Sequence, residues 1–156
     1  MSRAFVKETA QDAPPPERML SEGPNPVTPE GFAQIEGEVA RLEAALKSEG
    51  NPLLRETLER DLRYWSAQKL RAQIVSVAPE GGAVAFGARV TITRRVAPAY
   101  ERKQQTFRIV GEDEARPAAG TISWRSPLAQ AIMGAEVGDI VETASPPAEI
   151  EIVAID

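Results

Sequence analysis

The sequence predicts an α+β fold: an N-terminal antiparallel helical hairpin, or coiled coil, followed by an antiparallel β-sheet domain with one short helix. Three observations predict it. Apolar residues recur at spacings of three and four from Phe32 to Trp65. The period then switches to two after Gln73, and beyond that point only Pro127 to Met133 returns to a helical pattern.

Residues 1–26 read as a disordered, Pro-rich tail, because "DAPPPE" and "SEGPNP" are rich in proline and no apolar period runs through them. Residues 27–73 read as the hairpin. Thr28 is placed to cap a helix whose first position is Pro29, and Glu30 suits the positive end of the helix dipole. Phe32, Ile35, Val39, Leu42 and Leu46 then form a narrow seam. "SEGNP" breaks the pattern: Gly50 suits the residue just past a helix, Asn51 can cap the next one, and Pro52 fits its first position. The second helix carries Leu54, Leu58, Leu62 and Trp65 on one face. Glu43–Lys47, Glu56–Arg60 and Glu59–Arg63 have the spacing of bracing ion pairs. Two helices of about 20 residues, each about 30 Å long, must run antiparallel when so short a turn joins them. The hairpin therefore has a tip, at Glu49 to Pro52.

Residues 74–156 read as the sheet domain. "IVSVA", "AVAFG", "ARVTIT", "TFRIVG", "GTISW", "DIVETA" and "EIEIVAI" have the length and alternation of strands. "PEGG" and "SPPA" are turn chemistry, and Gly87 and Gly111 mark bends or ends. In the last strand Ile150 and Ile152 alternate with Glu149 and Glu151, so one face is buried and the other wet. Ser126 caps the short helix, which opens at Pro127 and turns Leu128, Ile132 and Ala131 toward the sheet.

Composition narrows the chemistry. The chain has no cysteine and no histidine, which excludes disulfides, thiolate metal sites, cysteine nucleophiles and any Ser-His-Asp triad. The sequence is read as non-enzymatic on its own, with no cofactor or metal. No run approaches the ~20 apolar residues of a membrane span and no signal-peptide pattern opens the chain, so the expected location is the cytoplasm. A net charge of −5 opposes non-specific binding to nucleic acid. The charge is uneven, however: Arg94, Arg95, Arg102, Lys103 and Arg108 lie close together. They form either a solvated hairpin or a basic face able to meet an acidic protein or a phosphate backbone.

The stretches "VTPEG", "AQIVSV", "VAFGARVTI", "TFRIVGEDEA", "ISWRSPLAQAIMG" and "VGD", in this order from Val27 onward, resemble the Gre family of bacterial transcript-cleavage factors. The resemblance implies an FKBP-like C-terminal domain that binds RNA polymerase near the rim of the secondary channel. It also implies a coiled coil inserted toward the active centre. Family members place two acidic residues at the tip, in a pattern like "GDLKENAEY", which help hold a catalytic magnesium ion and a water. Here the tip reads "KSEGNPLL", with Glu49 as its only acid. The hairpin also reads several turns shorter than a family coiled coil, each turn being about 5.4 Å of reach. Polymerase binding is therefore carried over, and RNA cleavage is not.

By the same match, Ser126 and Pro127 are the candidate partner-binding residues, with Arg125 and Met133 at the edge and Glu49, Gly50 and Asn51 at the tip. Arg125 stands where some cleavage factors carry an acid. The expected protein is a monomer that binds bacterial RNA polymerase and reads no DNA sequence. Two alternatives stay open: cleavage stimulated through Glu49, with or without Glu56, and prolyl isomerisation, which requires an aromatic-lined pocket. The whole chain holds four Phe, two Trp and two Tyr.

Overall fold

The computed structural model describes residues 13–76, 82–98, 101–144 and 146–156. The chain divides into two units. One joins the segment ending at Gly23 to Ile35–Arg71, and the other joins Pro24–Gln34 to Ala72–Asp156. Among the described residues no helix is long and apolar enough to cross a membrane.

In the first unit, helix α1 (Pro29–Ser48) contributes its length from Ile35 onward and pairs with helix α2 (Pro52–Arg71). The pairing is antiparallel: Lys69 reaches Glu36 at 3.5 Å, and Arg55 Nη1 donates to the Leu46 carbonyl at 2.9 Å near the tip. Ile35 and Leu42 are fully buried, as the seam requires. Leu54 is 53% exposed, because it sits in the first turn of α2 and not on the buried face. Gln68, which the apolar spacing overlooked, is fully buried with its amide held by Tyr64 and Arg71. The ion pairs on α2 are also different ones: Arg55–Glu59, Arg60–Asp61 and Arg63–Glu17. Exposed pairs contribute less than about 1 kcal/mol each, so local rotamer choice decides between competing partners.

Of the tail expected over 1–26, residues 1–12 lie outside the described residues, and from Glu17 onward the segment makes specific contacts. Arg18 lays its guanidinium 3.7 Å from the Tyr64 ring centroid and 3.7 Å from Asp61. Arg71 Nη2 donates to the carbonyls of Ser21 and Gly23 at 2.7 and 2.6 Å. The segment is a strap along α2. Polar and cation–π contacts hold it, which apolar periodicity does not detect.

In the second unit, β1 (Asn25–Val27) pairs in parallel with β2 (Ala72–Ile74). The main sheet comprises β3 (Arg89–Val96), β4 (Glu101–Val110), β5 (Thr121–Ser123), β6 (Ile140–Ala144) and β7 (Pro147–Ile155), in the order β5-β4-β3-β7-β6. It is mixed, not wholly antiparallel: the connection 111–120 carries the chain back, so that β5 runs parallel to β4. "AVAFG" is not a strand, because Ala83 makes only a single bridge to Glu136 and Gly87 turns the chain at a φ of 86°. Part of "IVSVA" lies outside the described residues, and the strand there begins at Ala72. The β3–β4 pair extends through "TRRV" and "ERKQQ", polar stretches without apolar alternation.

Val90, Ile92, Phe107, Ile109, Ile150 and Ile152 bury one face of the sheet against helix α3 (Pro127–Ile132). Ala129 and Ile132 are the fully buried residues of α3, while Leu128 and Ala131 are only partly covered. The sequence motifs "VTPEG" and "GEDEA" meet at one carboxylate. Glu114 accepts the Thr28 N–H at 3.0 Å, the Gly111 N–H at 2.9 Å and the Thr28 hydroxyl proton. Thr28 caps α1 as expected, accepting the Gly31 N–H at 3.0 Å.

Candidate functional site

The sheet unit carries the first group of predicted site residues. Ser126 has extended backbone, and its hydroxyl accepts the Ala129 N–H at 3.2 Å, while Pro127 supplies the first helical position. This local chemistry fixes where α3 starts and leaves Pro127 exposed. Beside it opens a cavity of about 650 Å³ whose wall includes Ile122, Ser126, Pro127, Leu128, Ala131 and Pro146. Arg94, Glu142 and Thr143 supply its polar rim. Among the described residues, none that line it is aromatic.

Arg125 and Met133 do not line this cavity. Arg125 stacks 4.7 Å from the Trp124 ring centroid, reaches Glu112 at 3.3 Å and donates to the Pro24 carbonyl at 3.3 Å. Its charge braces the loop before α3. Met133 ends α3 and is 37% exposed. The structure therefore brings Ser126 and Pro127 together on one concave surface and sets the other two apart from it.

The tip belongs to the helical unit. Asn51 caps α2, its side-chain oxygen accepting the N–H groups of Leu53 and Leu54 at 3.0 and 3.3 Å. Glu49 Oε1 accepts the Asn51 N–H at 2.8 Å, so the one acid of the turn is committed to the turn itself. Gly50 does not adopt the left-handed conformation of a usual C′ glycine. Arg55 satisfies the helix end instead, through its bond to Leu46. Among the described residues no group of three or more Asp or Glu is gathered for a metal ion. The tip carries one acid, Glu49, where the family pattern has two.

Sequence reasoning flagged the basic residues of β3 and β4 without placing them. Arg94 faces Lys103 across the strands, and Arg95 faces Arg102. Arg94 lies on the cavity rim, a position visible only once the register is known.

Residues 78–156 match the family model described as transcription elongation factor, GreA/GreB, C-terminal. The chain is 30% identical over 142 residues to the transcription elongation factor GreA of Ruegeria pomeroyi, covering 78% of this chain and 88% of that protein. Over 77 residues it is 47% identical to GreA of Hyphomonas neptunium, spanning 49% of this chain and 46% of that one. Among solved structures, GreA factor homolog 1 of Thermus thermophilus overlays with a TM-score of 0.40 at 18% identity, covering 86% of this chain and 99% of that one.

Proposed function

Because this chain belongs to the GreA/GreB family of transcription elongation factors, we propose that it is a non-cleaving member of that family. In this reading it docks on bacterial RNA polymerase near the rim of the secondary channel and modulates elongation there. It acts in the cytoplasm as a monomer and reads no DNA sequence. The concave surface beside Ser126 and Pro127 is the docking face: an apolar hollow with few polar groups is the usual form of a site that seats a partner's side chain. The helical hairpin enters the channel and occupies space without delivering carboxylates.

The observation that carries the reading is at the tip. Glu49 stands alone and accepts its own turn's Asn51 N–H at 2.8 Å. The isomerase alternative has no support from the cavity, whose wall holds no aromatic side chain among the described residues.

The test is RNA shortening in a backtracked bacterial elongation complex that contains a cleavage-competent Gre factor, with this protein added in excess. Slower shortening is expected, since the two would compete for one channel. Pro127→Ala, which leaves the Ser126 cap in place, should relieve the inhibition. Unchanged shortening would exclude the shared site. Faster shortening that Glu49→Gln removes would establish cleavage through Glu49 instead.

A further inference from the structure

We propose that the outer end of the β3–β4 hairpin is a carboxylate-reading element for a protein partner. Arg94 and Lys103 receive an acidic side chain, while the adjoining cavity receives an apolar neighbour from the same partner. The inference rests on the docking reading above and adds a determinant outside the Ser-Pro segment.

The first observation is a broken pairing rule. Arg94 stands directly opposite Lys103 and Arg95 directly opposite Arg102, two successive like-charge pairs across antiparallel strands. Such pairs repel, and a sheet stabilised only for itself avoids them. Local rules broken without internal compensation are expected at functional sites. Compensation here is partial: Arg95 lies 3.9 Å from Glu149, whereas Arg94, Arg102 and Lys103 have no ion pair among the described residues.

The second observation is where the pairs point. Side chains alternate along a strand, so Arg94 shares a face with the buried Val90 and Ile92. Its partner Lys103 shares that face with Phe107. These two cations continue the core-facing surface past the end of the core. Arg95 and Arg102 occupy the opposite face. Arg94 lines both the apolar cavity and a smaller hollow of about 400 Å³ formed with Val96, Lys103 and Gln105, so the two hollows adjoin at its side chain. The Arg94 Nε is shielded from solvent and has no hydrogen-bond partner among the described residues. A guanidinium with no acceptor among the described residues can offer its outer N–H groups to an incoming carboxylate in a charge-assisted bond.

The third observation chooses the partner class. Glu101 and Glu142 also edge these hollows, and the chain's net charge is −5. A phosphate backbone passing over this surface would meet acids as well as cations. A single carboxylate beside an apolar side chain places less charge beside these acids than a run of phosphates does, and Arg94 and Lys103 are the cations that receive it.

The test is equilibrium binding of the full-length protein to nucleic-acid-free bacterial RNA polymerase core. Arg94→Gln and Lys103→Gln should each weaken binding about tenfold. Their double variant should flatten the salt dependence. Arg102→Gln, on the opposite face, should bind as the unaltered protein does, and circular dichroism checks that every variant is folded. If the unaltered protein binds and the Arg94/Lys103 double variant binds equally well, this inference falls and the docking reading stands. An equal loss with Arg102→Gln would reduce the effect to general charge attraction and overturn it. No complex with the unaltered protein would overturn the docking reading and this inference together.

Discussion

Glu114 ties together two segments that lie 86 residues apart in sequence. It does so because Gly31 and Gly111 leave room. A Cβ on Gly31 would lie 2.0 Å from the Glu114 Cδ, and one on Gly111 would lie 2.9 Å from the Pro26 carbonyl oxygen. Glu114→Ala should therefore cost roughly 2 kcal/mol, since the buried Thr28 and its neighbour Gly111 would lose their acceptor. Gly31→Ala should cost a similar amount by displacing the same carboxylate. In the Glu114→Ala background, Gly31→Ala should instead be neutral or stabilising. The space is then vacant, and alanine is favoured over glycine in a helix by about 1 kcal/mol. Urea denaturation of the four proteins gives the cycle, and simple additivity would show that the two residues do not compete for one space. The caps at Thr28, Asn51 and Ser126 were legible because a cap and its targets lie within three residues. No local pattern marks Glu114.

At the scale of elements, the strap on α2 has a charge dependence that can be measured. The Glu17 carboxyl is held below its ordinary value of 4.5 by the hydrogen bond from Arg63, against a smaller opposing effect of desolvation. A depressed carboxylate stabilises the state that holds it above its ordinary value. That contribution is lost as pH falls below about 4.5 toward the lowered value. The Glu17–Arg63 contact should accordingly be made at neutral pH and weaken in acid, and the heteronuclear NOE value of Glu17 should fall across that window. Arg18→Ala should loosen residues 17–23 at neutral pH, by removing the stacking on Tyr64 and the contact with Asp61. Undiminished NOE values in Arg18→Ala would place the anchor elsewhere. The long β3–β4 arm was missed for a related reason: its outer residues are held by ladder hydrogen bonds and not by burial, so no apolar alternation records them.

At the scale of the whole molecule, the division between units falls inside α1, between Gln34 and Ile35. Residues 24–34 belong with the sheet: Val27 is buried there, β1 pairs with β2, and Thr28 is bonded to Glu114. The family model begins only at residue 78 and so spans part of this unit. The first turns of α1 should then open with the sheet. Leu42→Ala, at a fully buried position of the hairpin, should cost about 2–5 kcal/mol in the helical unit. It should leave protected the Phe32 amide, which donates to the Thr28 carbonyl at 2.9 Å. Native-state hydrogen exchange reads both effects. Loss of Phe32 protection in step with α2 would assign those turns to the hairpin.

The sequence by itself determined the α+β class, the two amphipathic helices, the capping residues that start each helix, and the missing acids of the tip. Each of these is local: a period, a cap, or a residue type present or absent. Tertiary structure alone decided the parallel placement of β5, the strap along α2, the Glu114 bonds and the Arg94–Lys103 pairing. It also decided that Ser126 and Pro127 face a hollow while Arg125 braces a loop. Those features depend on register and on partners distant in the chain, whose positions follow only from how the core packs.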